Sequence, residues 1–167
     1  PIIRGGDDLT IVIEAKYAVE FTRDYLEAFE EISKNELNKN KTFDGFKEGI
    51  SSCAGICFLK KKFPIHYGNK LANVLCKQAK TVSKFLKTNS KIPSSVLFHV
   101  NQSSFIPESY EQLIEFDFKI GTEFRLDGGP YFLDDFPNYW KIEDLISNST
   151  LLAEKSTPTS SIRNWIN

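Results

Sequence analysis

Four consecutive residues near the start of the chain have the types and spacing that chemistry would need. Gly5, Gly6, Asp7 and Asp8 stand directly before the apolar run Leu9 to Glu14. Two glycines let the backbone turn tightly and leave room for a ligand's phosphates. Adjacent aspartates at such a turn offer hard oxygen donors, which suit Mg²⁺ or Mn²⁺ when the ion also holds substrate phosphates. A two-ion site of this kind would activate a ribose hydroxyl with one ion and steady a pyrophosphate leaving group with the other, which is nucleotidyl transfer. All four residues are also common in solvated hairpin turns, so the tetrapeptide alone decides nothing. The order of elements behind it says more: turn, buried strand, amphipathic helix, small-residue strand, Lys62-Phe63-Pro64, then a helix with a lysine face.

Other chemistries find little support. His66 and His99 are the only histidines, and no HExxH, GxxxxGK[ST] or GxSxG pattern occurs, which disfavours zinc hydrolases, P-loop ATPases and serine hydrolases. Cys53, Cys57 and Cys76 are odd in number and form no CxxC pair, so they read as small buried hydrophobes in a reducing compartment. Asp134-Asp135 repeats the double acid, yet its place suggests the start of a helix, where acids favour the dipole without a metal. Tyr139, Trp140 and Trp165 read as packing anchors of short closing helices.

These residues require elements to position them. Leu9 to Glu14 predicts a central strand. Apolar residues at Ala18, Phe21, Tyr25, Ala28, Phe29 and Ile32 predict an amphipathic helix from Tyr17 to about Ser33, with an exposed loop over Lys34 to Lys47. Ile50 to Leu59 predicts a buried strand with something packed closely on its glycine. A second helix follows from Tyr67, with Pro64 in its first turn and Lys77, Lys80, Lys84 and Lys87 on its outer side. Ser95 to Gln102 predicts a further strand, Lys119 to Phe132 a hairpin turning at Asp127-Gly128-Gly129, and Tyr139 to Ile146 and Thr159 to Trp165 short helices.

With 167 residues and 41% hydrophobic content, the chain can bury a core. Lysine and arginine total 21 against 22 acids, a net charge of -1, so any phosphate binding must be local. No long apolar stretch or leader is present, which predicts a soluble cytoplasmic protein without membrane contact. The absence of methionine, and a beginning that already reads as a strand end, predict a fragment of a longer chain.

The run Arg4-Gly5-Gly6-Asp7-Asp8-Leu9, followed by Ala54-Gly55-Ile56, Lys62-Phe63-Pro64-Ile65 and Ala79-Lys80, resembles the palm domain of the large catalytic subunit of type III CRISPR effectors. That family is itself distantly similar to GGDEF diguanylate cyclases. Gly129-Pro130-Tyr131-Phe132-Leu133 and Thr159-Ser160-Ser161-Ile162-Arg163 look like the family's passage into its small closing helices. The resemblance implies an α+β, ferredoxin-like palm, an antiparallel sheet with helices on one face, whose first strand and helix precede Pro1. It divides the chain into a partial palm over 1–105 and a hairpin with short helices over 106–167. It also implies conversion of ATP into cyclic oligoadenylate or a related signal in antiviral defence. Asp7 and Asp8 would be the catalytic, metal-binding pair, Gly5 and Gly6 would shape the turn under the nucleotide, and Lys80 and Lys62 would contact phosphates. Other effector subunits and guide RNA are implied as partners of the parent protein, and a homodimer is left open. Cys53 stands where the family tends to have serine, and the two aspartates alone make an incomplete cage. Both departures keep a second reading in view: an inactive palm that senses nucleotide or supports assembly.

Overall fold

The computed structural model describes residues 3–5, 8–39, 47–87, 91–102, 105–120, 124–125 and 128–153. The fold is α+β. Its centre is a three-stranded sheet of β3 (Cys53–Phe58), β4 (Ser95–Val100) and β7 (Tyr131–Phe132), in the order β3-β4-β7. A separate hairpin, β1 (Ile3–Gly5) with β2 (Asp8–Thr10), opens the chain. α1 (Ala18–Asn38) leads from the hairpin to β3, and α2 (Ile65–Phe85) joins β3 to β4; α3 (Tyr110–Leu113), the small hairpin β5 (Lys119–Ile120) and β6 (Phe124–Arg125), and α4 (Ile142–Ala153) complete the order. This architecture is compatible with a palm-like α+β fold.

In two respects the sheet differs from the one expected. β3 and β4 are parallel, with Cys53 opposite Ser95 and Phe58 opposite Val100, while β7 joins β4 antiparallel. Helices also cover both faces. Alternate residues of a strand point to opposite sides, so Cys53 and Cys57 meet Leu71, Leu75 and Ala79 of α2, whereas Ala54, Ile56 and Val96 meet Leu26 of α1 and Ile142 of α4. A parallel pair needs a crossover connection, and α2 provides it.

Gly55 fixes how tightly that crossover sits. A Cβ built there would lie 2.0 Å from the Ala72 carbonyl oxygen and 2.6 Å from the Cys76 backbone nitrogen, so only glycine lets α2 approach so closely. Deeper in the same layer, Ser83 and Ser95 are fully buried and satisfy each other through a 2.7 Å hydroxyl pair. Gly129, at φ 123°, turns the chain into β7 where a side chain would press on Leu97.

Several elements depart from their expected bounds for local reasons. α1 runs past Ser33 to Asn38, because polar contacts extend it where the apolar stripe ends: Lys34 pairs with Glu48 at 3.0 Å, the Asn38 amide donates to the Lys47 carbonyl, and Ser33 Oγ accepts from the Ile50 N–H. β2 stops at Thr10, and Val12 and Ile13 are exposed, so Leu9 to Glu14 is not a central strand. A β-branched run needs a partner to make a ladder, and β1 offers only three residues. The predicted long hairpin is instead two pairings: β5 with β6, and β7 with β4; Asp127 lies outside the described residues. Asp134 and Asp135 sit in a bend eight and seven residues before α4 begins, so they cap no helix. Trp140 is 62% exposed and anchors nothing, while Tyr139 packs edge-on against Phe132. The helix expected over Thr159 to Trp165 and Trp165 itself lie outside the described residues.

A short helical segment that the periodicity did not reveal follows β4. α3 passes into a π-helical turn, Ile114–Phe118, and His99 of β4 is buried against it. His99 Nε2 lies 3.0 Å from Asp117 Oδ2, off the line of a well-directed hydrogen bond, and Phe118 meets the imidazole edge-on.

Two predictions follow from these contacts. Gly55→Ala should destabilise the protein by about 3 kcal/mol, because overpacking here strikes backbone and cannot relax by rotamer change; urea unfolding measures it. For His99, burial lowers the pKa from its ordinary 6.5 and Asp117 opposes that in part. The unfolded chain therefore binds more protons below that value, and the neutral ring's contribution is full above it and fades as pH falls toward the folded value. Unfolding free energy should decline on going from neutral to mildly acidic pH, and His99→Gln should flatten that slope.

Candidate functional site

The closing pair of the first hairpin is Gly5 with Asp8, so Gly6 and Asp7 fall between the paired ends and outside the described residues. Asp8 is exposed. A Cβ built on Gly5 would meet nothing within 4 Å, so among the described residues nothing crowds the backbone at this end of the hairpin. Open backbone beside a carboxylate is what the sequence pattern requires of a phosphate-approach turn.

The second component comes from α2. Its buried stripe of Leu71, Leu75 and Ala79 faces the sheet, which leaves Cys76 half-buried on the flank and Lys80 exposed one turn further on. The Cys76 thiol donates to the Cys53 carbonyl at 3.2 Å, which pins this flank to β3. Burial raises the Cys76 pKa most; the neighbouring Cys53 and Asp8 raise it further, while Lys80 lowers it. Asp8, from the first hairpin, and Lys80, from the second helix, therefore bear on the Cys76 thiol through their charges in opposite directions, and the two form no ion pair with each other among the described residues.

Lys62 is not part of this cluster. It is exposed in the turn that precedes α2, and Lys80 lies fifteen residues beyond the first residue of that helix, Ile65. At about 1.5 Å per residue the helix rises roughly 22 Å from Ile65 to Lys80, so Lys62 and Lys80 stand toward opposite ends of α2.

A hard cation fits the described part of the site only at one edge. Asp8 supplies one carboxylate beside open backbone, and Cys76, held as a protonated thiol, is a poor ligand for magnesium. Among the described residues, no three His, Cys, Asp or Glu side chains are grouped to hold a metal ion. Burial pushes the Cys57 thiol up to about 11, which keeps it protonated and unreactive. His66 is exposed, and His99 is occupied in the core.

Cys76 is the member that sequence reading passed over. Its position four residues before Lys80 places it on the same side of a helix, and that spacing was the available signal.

No family model matches the chain, and no curated protein or solved structure matches it significantly.

These opposed charges make a chemical prediction. Removing the Asp8 charge with Asp8→Asn should lower the Cys76 pKa and speed its alkylation at fixed pH, and Lys80→Gln should slow it. Iodoacetamide labelling in a Cys53→Ser, Cys57→Ala background reads both; rates unchanged in either variant would mean that Asp8 and Lys80 do not both act there.

Proposed function

We propose that this chain is the nucleotide-handling palm of a metal-dependent nucleotidyl transferase that takes ATP as substrate and forms a cyclic oligoadenylate or related cyclic nucleotide. The observation that supports the reading is the exposed Asp8 carboxylate beside the uncrowded Gly5 backbone, with the exposed Lys80 ammonium acting on the same Cys76 thiol as Asp8. A carboxylate and an ammonium flanking uncrowded backbone are complementary to a cation and to a phosphate chain respectively.

In this reading Asp7 and Asp8 hold Mg²⁺ or Mn²⁺, with further donors completing the shell. The ion, when bound, activates the attacking hydroxyl and offsets charge on the departing pyrophosphate. The chain's own residues orient the substrate. Gly5 and Gly6 leave space for the phosphates, and Lys80, which has no acidic partner within ion-pair distance among the described residues, is free to donate to them. Lys62, toward the other end of α2, would serve as a second, separate phosphate contact. Effector-complex subunits, guide RNA or a second copy of the palm would complete the enzyme. An inactive palm that only senses nucleotide uses the same groups for binding and omits turnover.

Incubating the protein with ATP and Mg²⁺ or Mn²⁺ should release pyrophosphate, and the double substitution Asp7→Ala, Asp8→Ala should reduce release to background. Lys80→Ala should raise the KM for ATP roughly tenfold, the loss expected for a charge-assisted hydrogen bond. Calorimetry separates the readings: metal-dependent ATP binding without pyrophosphate points to the sensing palm, and no binding at all rejects both.

A further inference from the structure

The balanced charge of this chain is segregated in space. From Gly49 to Pro107 there is no aspartate or glutamate, yet there are nine lysines: Lys60 to Lys62, four on α2, then Lys87 and Lys91. On the other side of the sheet, α1 carries six carboxylates against two cations, and α4 adds Glu143 and Asp144 with no cation. One outer layer is basic and the opposite one acidic.

The basic layer is ordered. Lys70, Lys77 and Lys84 recur every seven residues, which puts them in one row about 10 Å apart along the helix, on the side away from Leu71, Leu75 and Ala79. All three are exposed, and none has a carboxylate within ion-pair distance among the described residues. Beside the last of them stands Phe85, 92% exposed. A phenylalanine so exposed has no packing role among the described residues. Lys80 lies on the Cys76 flank of the helix and belongs to the site already described.

We infer that the outer face of α2 is a docking surface for single-stranded nucleic acid, with Lys70, Lys77 and Lys84 on successive phosphates and Phe85 stacked under a base. A lysine row that tracks the backbone beside an aromatic ring that accepts any base is the recurring solution for single strands. A duplex would satisfy the lysines and leave Phe85 in solvent, since its bases are already stacked. An anionic membrane fits less well, because surface helices insert their apolar face and that of α2 is buried on β3 and β4. An acidic peptide would neutralise the lysines and give the ring no partner.

The test is fluorescence anisotropy of the full chain with a labelled oligouridylate of about 20 nucleotides, long enough for the site sizes such surfaces use. Binding is expected, with log Kd rising against log salt at a slope of about 2 to 3, the signature of three or four neutralised phosphates. Lys70→Gln, Lys77→Gln, Lys84→Gln together should weaken binding at least tenfold and flatten the slope, while leaving pyrophosphate release from ATP unchanged. Phe85→Ala should weaken binding roughly tenfold and leave the slope alone. All four positions are solvent-exposed, so thermal unfolding of these variants should match the parent. Absence of binding at low salt, or binding unmoved by the lysine substitutions, would overturn the proposal. So would equal affinity for poly-glutamate, duplex RNA or phosphatidylserine vesicles combined with indifference to Phe85→Ala.

Discussion

At Gly55 the backbone of α2 comes so close to β3 that one added methyl group would overlap the Ala72 carbonyl. That contact sets the height of the helix above the sheet and therefore the placement of everything on its two flanks. It lets Cys76 reach the Cys53 carbonyl, seats Leu71, Leu75 and Ala79 in the core, and brings the Ser83 hydroxyl to Ser95. With the inner face fixed, the outer face is fixed too: Lys80 is exposed on the Cys76 flank and the Lys70, Lys77, Lys84 row faces solvent. A looser helix would keep the secondary structure and lose the geometry.

The same economy explains the charge distribution. Carboxylates on α1 have local partners, such as Glu30 with Lys91 and Ser94, and Arg23 of α1 reaches Glu143 of α4 at 3.0 Å. The exposed pairs among them contribute little, since water screens them. Among the described residues, the lysines of α2 have no such partners. Nearly equal totals of acid and base therefore coexist with a face that has unspent positive potential, which is why whole-chain charge was a poor guide to where phosphates could bind.

Much of the architecture was legible where one physical signal dominated. The two long helices announced themselves through apolar spacing, and β3 and β4 through short branched runs bounded by turns; Gly55 was readable as a close-approach glycine. The signal failed where partners decided. Ile11, Val12 and Ile13 have strand propensity and lack a neighbouring strand. Asn and Lys residues after Ser33 look like loop, yet are helical because Glu48, Lys47 and Ile50 return to meet them. β7 is only two residues long, and its pairing with β4 depends on a chain reversal at Gly129 that no periodicity encodes. In the candidate site, the glycine-aspartate bend was legible as a turn, whereas sequence spacing alone could not show that Lys62 and Lys80 stand toward opposite ends of α2. Asp7 and Gly6 lie outside the described residues, so the bend is known from its Gly5 and Asp8 ends.

The proposal depends on a nucleotide lying between the first hairpin and the flank of α2. Crystals of the protein grown with Mn²⁺ and a non-hydrolysable ATP analogue test this most directly. The predicted result is anomalous density at the Asp7-Asp8 bend, with the triphosphate within ion-pair distance of the Lys80 ammonium. Well-ordered crystals with manganese elsewhere, or with the triphosphate bound away from Lys80, would contradict it.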